Sequence, residues 1–196
     1  MNWYGEGKEK ADQIIYESFF KDQKGIMIEV GCADPTYLSM SKGFRERGWR
    51  TIGIDPNPIW IEKHKEEGLE AYQYAINHIP QKEQTFYICN EDPMAYSSLG
   101  IRYSMGKNHT LSEIKAEVIT LDSLLEKLNI EHIDFLAVDT EGWEIDVIRS
   151  FNTQKYAPSV IQLECINDHT RYNDYMNSIG YSLWKNIAVN SIYTKK

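Results

Sequence analysis

Short apolar runs alternate with amphipathic stretches along the chain, and this alternation predicts an α/β fold built on a parallel sheet. Residues 10–20 carry Ile14, Ile15, Ser18 and Phe19 at helical spacing. The compact run Ile26-Met27-Ile28-Glu29-Val30 predicts a buried strand ending at Gly31, and residues 38–47 a helix stopped by Gly48. Thr51-Ile52-Gly53-Ile54-Asp55 predicts a second strand closed by Pro56-Asn57-Pro58, followed by a helix over 59–67 and a third strand over 71–76. The stretch 80–115 is the least regular: one strand-like run, Thr85-Phe86-Tyr87-Ile88-Cys89, opens a segment rich in Asn, Asp, Ser, Gly and His. Long irregular segments in a compact domain are usually functional or mobile. Beyond it the pattern predicts a short strand at 118–120, a helix over 123–128 capped by Asp122 and a strand over 133–139. A helix over 143–151, a strand over 160–164, a helix over 172–179 and a closing antiparallel pair at 181–184 and 191–194 complete the pattern. No repeat or linker divides the chain, so one domain over 1–196 is expected, with a helical segment at 1–24 and an insertion over 80–116.

Composition narrows the class. With 196 residues, 42% hydrophobic and 26% charged, the chain is long enough to bury a core without disulfides, and three cysteines make no disulfide framework. No apolar run approaches the ~20 residues of a membrane span, and the opening residues lack a signal-peptide pattern, so a cytoplasmic location is expected. The net charge is −8, and the cluster Arg45-Glu46-Arg47 is interrupted by an acid. Both argue against a nucleic-acid partner and for a small or neutral substrate or a cationic cofactor.

The chemistry collects at strand ends. Glu29, Asp55, Asp139 and Glu164 stand at or near the carboxyl ends of four predicted parallel strands, where open α/β sheets bind ligands. Any one of them alone serves equally well as an acceptor for amides of the following helix; four together predict a polar cleft. Gly31 removes a Cβ from the first turn. The second and third glycines of a dinucleotide fingerprint are replaced by Ala33 and Thr36, and Asp34 is placed to repel a phosphate. The loop therefore suits a positively charged adenosine cofactor without phosphates, S-adenosylmethionine, with Asp55 accepting from the ribose hydroxyls. For Asp55 the alternative is capping of the turn before Pro56.

Several stretches together resemble the FkbM-type methyltransferases, which are class I S-adenosylmethionine-dependent enzymes. These are Glu29-Val30-Gly31-Cys32-Ala33-Asp34, the run from Trp49 through Asp55-Pro56-Asn57-Pro58, Thr120-Leu121-Asp122-Ser123-Leu124-Leu125, and Ile133-Asp134-Phe135-Leu136-Ala137-Val138-Asp139-Thr140-Glu141-Gly142. The resemblance implies a Rossmann-like three-layer sandwich with a mostly parallel seven-stranded sheet and an antiparallel last strand. It also implies methyl transfer to a hydroxyl of a sugar, glycan or natural product. By position, Glu29, Gly31, Cys32 and Ala33 would face the methionine end of the cofactor, Asp55 the ribose with Pro56 and Asn57 beside it, and Ala75 and Ile76 the adenine. Pro35 stands where the family often has glycine; proline is tolerated in a first helical turn.

An acceptor hydroxyl needs a base near its proton. Asp139 is the first candidate, Glu141 the second and His109, in the insertion, the alternative. Asp139 and Glu164 are also suited to Mg²⁺ as hard oxygen ligands. The insertion is expected to act as the acceptor lid, with Ser97, Ser98 and Arg102 contacting the acceptor together with Glu164. A homodimer is compatible with this organisation. An NAD-dependent oxidoreductase or epimerase on a similar sheet, and a catalytically inactive binding module, are the competing functions.

Overall fold

The computed structural model describes residues 2–5, 10–92, 96–100, 109–165 and 168–196. Three parallel strands fill the centre of the main sheet: β1 (Ile26–Val30), β7 (Phe135–Val138) and β8 (Val160–Glu164). Their runs of Ile, Val, Leu and Phe suit strands covered on both faces. With β2 (Arg50–Ile54), β3 (Ala71–Tyr72), β9 (Tyr181–Ile187) and β10 (Asn190–Lys195) they form a seven-stranded sheet in the order β3-β2-β1-β7-β8-β10-β9. The strands from β3 through β8 are parallel, and β10 runs antiparallel between β8 and β9. This is the Rossmann-like arrangement anticipated above, and the order reverses between β1 and β7, which opens a crevice there.

Alternation along each strand sends side chains to two apolar layers. Ile28, Val30, Leu136, Val138, Ile161 and Leu163 pack on one face with Leu124 and Leu125 of α4 (Leu121–Lys127) and Ile145 and Ile148 of α5 (Glu144–Arg149). Met27, Phe135, Ala137 and Val160 pack on the other with Ala11 and Ile15 of α1 (Ala11–Ile15), Phe20 of the π-helical turn Tyr16–Phe20 and Phe44 of α2 (Lys42–Arg45). Glu29 and Gln162 lie on this second face, two residues from Met27 and Val160 respectively.

Four local expectations are corrected. The helix expected over 38–47 is reduced to α2, because the Glu29 carboxylate takes the amides of Met40 (2.8 Å) and Ser41 (3.2 Å) and Leu38 has a φ of 55°. Pro35 accordingly lies in a turn and not in a helix; its carbonyl accepts from Arg45 Nη2 at 2.7 Å. The strand expected over 71–76 splits, since β2 ends: Asp55 N–H already donates to Tyr72 O at 3.2 Å, and β4 (Ala75–Ile76) turns away to pair with β6 (Leu111–Ile119). The irregular stretch is flanked by a long antiparallel pair, β5 (Gln81–Cys89) with β6, whose alternating Glu113, Lys115, Glu117 and Ile114, Ala116, Val118 make a half-exposed strand. The cap of α4 is Thr120, accepting from Ser123 N–H at 3.1 Å, while Asp122 accepts from Asn152 N–H. The remaining helices are α3 (Pro58–Glu66), α6 (Thr153–Tyr156) and α7 (His169–Ser178). Among the described residues no helix is long and apolar enough to cross a membrane.

Candidate active site

A cleft of about 250 Å³ opens at the carboxyl ends of β1, β2, β7 and β8. Its first wall is the turn after β1. Gly31 has a φ of 79°, and a Cβ there would stand 1.7 Å from the carbonyl oxygen of Asp139. The glycine is therefore required by the passage of the β7 end, a different cause from ligand approach. Gly31 and Cys32 donate their amides to Ile54 O at 2.8 and 3.2 Å, and Ala33 donates to Asp55 Oδ2 at 3.2 Å. Across the turn His64 of α3 lies 3.1 Å from Ala33 O. Burial holds its imidazole pKa down, so the neutral ring donates Nε2–H to that carbonyl.

Asp55 is buried, and its second oxygen accepts from Asn57 N–H at 2.8 Å. Burial raises its pKa to about 6, outweighing the two amides that favour the carboxylate. Burial likewise raises the pKa of Glu29, against the opposing pull of its Ser41 and Met40 bonds. Asp34 differs from its expected role: its Oδ1 accepts from Thr36 N–H, Thr36 Oγ–H and Tyr37 N–H, and its Oδ2 pairs with Lys63 at 3.0 Å. Burial pushes its pKa up, but the Tyr37 and Thr36 amides and Lys63 hold the carboxyl well below the usual range. Its charge is thus spent on a turn and a lysine, and it does not line the cleft.

The opposite wall is the turn after β7. Glu141 and Gly142 both have positive φ, 55° and 89°. Fully buried Glu144 holds them in place: its Oε1 accepts from Thr140 N–H (3.0 Å), Thr140 Oγ–H (3.2 Å) and Gly142 N–H (2.6 Å), and its Oε2 accepts from Tyr172 OH. Carboxylate oxygens of Asp139, Glu141 and Glu164 lie within 4.8 Å of one another, an oxygen set able to take a proton or a hard cation. A second group, Cys89, Glu91 and His109, has the same closeness outside the cleft.

Of the residues singled out from sequence, Glu29, Gly31, Cys32, Ala33, Asp55, Pro56, Ala75, Ile76, Ser97, Asp139, Glu141 and Glu164 line this cleft. Asn57 sits behind Asp55, where its side chain caps α3 through Ile59 N–H. Ser98 is buried behind the wall and accepts from Trp143 Nε1–H at 3.1 Å. His109 stacks on Tyr96 with 5.3 Å between ring centres, and Tyr96 in turn donates its amide to Glu141 Oε1 at 2.9 Å. Arg102 lies outside the described residues. Residues not anticipated also line it, among them Trp60 and Tyr74, Phe86, Leu99 and Trp143 on the insertion side, and the deeply buried Gln162 and Asn190 at the floor.

A seven-stranded sheet of this order, with strand-end carboxylates around a crevice at the β1–β7 reversal, agrees with the methyltransferase branch of the Rossmann-like folds. The model of the methyltransferase FkbM domain matches residues 29–183, and the chain belongs to that family. No curated protein matches the chain. Family membership favours methyl transfer over the nicotinamide chemistry considered from sequence.

Proposed function

We propose that the chain transfers a methyl group from S-adenosylmethionine to a hydroxyl oxygen of a sugar, glycan or small natural product. The observation that carries this is Asp55, a buried carboxylate at the end of β2 that lines the cleft beside the Gly31–Ala33 turn. Each of its oxygens accepts one amide and retains a lone pair for a ribose hydroxyl. Pro56 flanks the ribose, Asn57 acts from behind by donating its amide to Asp55, and Ala75 and Ile76 supply apolar surface for adenine. Glu29, Gly31, Cys32 and Ala33 bound the methionine end.

When bound, the cofactor supplies an electrophilic sulfonium methyl. Asp139 orients the acceptor hydroxyl and takes its proton as the oxygen attacks, with Glu141 as the second acceptor of that proton. Holding the oxygen in line with the methyl carbon contributes on the order of 7–11 kcal/mol to such a reaction. Ser97 and Glu164 contact the acceptor; Ser98 acts behind them by fixing Trp143. Asp139 and Glu164 have the donor chemistry for Mg²⁺, and the proton transfer described here is assigned to the carboxylates alone. His109, behind Tyr96, takes no part in it. Thermal unfolding tests the cofactor class: S-adenosylhomocysteine raises the melting temperature while NADH leaves it unchanged, and the opposite pattern overturns the proposal.

A further inference from the structure

Strand β8 reads Val160-Ile161-Gln162-Leu163-Glu164, and Gln162 is the one polar residue between its ends. Its side chain is 3% exposed. Nε2 donates to Asn190 Oδ1 at 2.9 Å, which fixes the carboxamide with its carbonyl the other way, and that buried carbonyl oxygen has no hydrogen-bond partner among the described residues. Buried carbonyls are almost always paired, so an orphan in a central strand needs a reason. The surroundings supply one. Gln162 lines the cleft, two residues before Glu164 on the same face, and its register partner on β7 is Ala137, whose small side chain leaves room above it.

We infer that Gln162 is a specificity-determining residue, its carbonyl reading a hydrogen-bond donor, a hydroxyl, of the acceptor at the floor of the cleft. This rests on the methyl-transfer proposal and names a subsite within it. A site built to accept a hydrogen bond rejects an analogue lacking the donor, because the buried oxygen is then left unpaired. Asn190 is a positioning residue here: it acts through the carboxamide it holds.

The test uses crystals of the full chain, with and without S-adenosylhomocysteine, soaked separately in ethylene glycol and in acetonitrile. A diol oxygen about 2.7–3.2 Å from Gln162 Oε1, with no acetonitrile at that position, is the expected result. An empty position after the diol soak, equal occupation by acetonitrile, or a Gln162 carbonyl turned onto a protein donor overturns the inference. In the near-isosteric variant Gln162→Met the diol is lost while S-adenosylhomocysteine affinity stays within about twofold. A tenfold weaker nucleoside complex in that variant also overturns it, because the residue then serves the cofactor. Failure of the wild-type protein to bind S-adenosylhomocysteine sinks the functional proposal instead, and the soak without it still reports on Gln162.

Discussion

The two walls of the cleft are built on opposite plans. On the β1–β2 side the acids are tied to backbone: Glu29 holds the start of α2, and Asp55 bridges the amides of Ala33 and Asn57. On the β7–β8 side three carboxylates from two strand ends converge within 4.8 Å, on a turn whose shape is enforced from behind by Glu144. Backbone-tied acids make a wall whose geometry depends little on side-chain choice, which suits an invariant ligand. A wall of converging side chains is suited to proton chemistry and takes its shape from a support outside the cleft. The contrast teaches that one strand-end acid is not equivalent to another, and substitutions on the two walls should therefore fail in different ways.

The largest effect is expected where the walls meet. Gly31→Ala places a methyl group onto the Asp139 carbonyl, at a positive φ, and cancels most of the 5–15 kcal/mol typical of a domain. Denaturant unfolding should show little or no folded protein. Next comes the support of the second wall. Glu144→Ala leaves Thr140, Gly142 and Tyr172 without their acceptor and should cost about 4 kcal/mol in the same measurement, with S-adenosylhomocysteine affinity less affected than methyl transfer.

On the first wall the effect moves from stability to affinity. Asp55→Ala should weaken S-adenosylhomocysteine on the order of 100-fold in calorimetry, about 2.7 kcal/mol. Affinity of the unaltered protein should also fall about tenfold per pH unit below pH 6, since ribose hydroxyls favour the ionised Asp55, whose pKa is about 6. In the free protein the same raised pKa has the opposite sign. The folded state keeps a proton that the unfolded chain releases near pH 4, so the Asp55 contribution is greatest below about pH 4 and declines as pH rises to 6. The smallest change is expected for Ser98→Ala, which frees Trp143 Nε1–H and should cost about 1 kcal/mol with nucleoside affinity unchanged. Equal loss of nucleoside and acceptor binding in that variant would erase the distinction between the walls.

The parallel strands were legible because both of their faces are buried, so each appears as a mostly apolar run with an acid at or beside its carboxyl end. The hairpin of β5 and β6 was not: one exposed face dilutes its apolar signal with Glu113, Lys115 and Glu117, and a register shift between Gln81 and Gln84 interrupts its start. The shortening of α2 was hidden for another reason, since it depends on the Glu29 carboxylate, twelve residues from Ser41, taking the amides that would have begun the helix. Among site residues the strand-end acids announced themselves by standing where charge is costly. Glu144 and His64 did not, because an acid or a histidine in a short amphipathic helix looks solvated until its partners Thr140, Gly142, Tyr172 and Ala33 are seen. Gln162 did leave a signal, a lone amide within an apolar strand, and Trp143 left none, because its partner Ser98 is brought up by the hairpin.

The most direct test of the account is a crystal structure of the protein with S-adenosylhomocysteine. The nucleoside is expected in the cleft with both ribose hydroxyls within hydrogen-bond distance of Asp55 and the sulfur turned toward Asp139. A nucleoside bound on another face, or ribose hydroxyls held by other groups while Asp55 keeps only its amides, would contradict it.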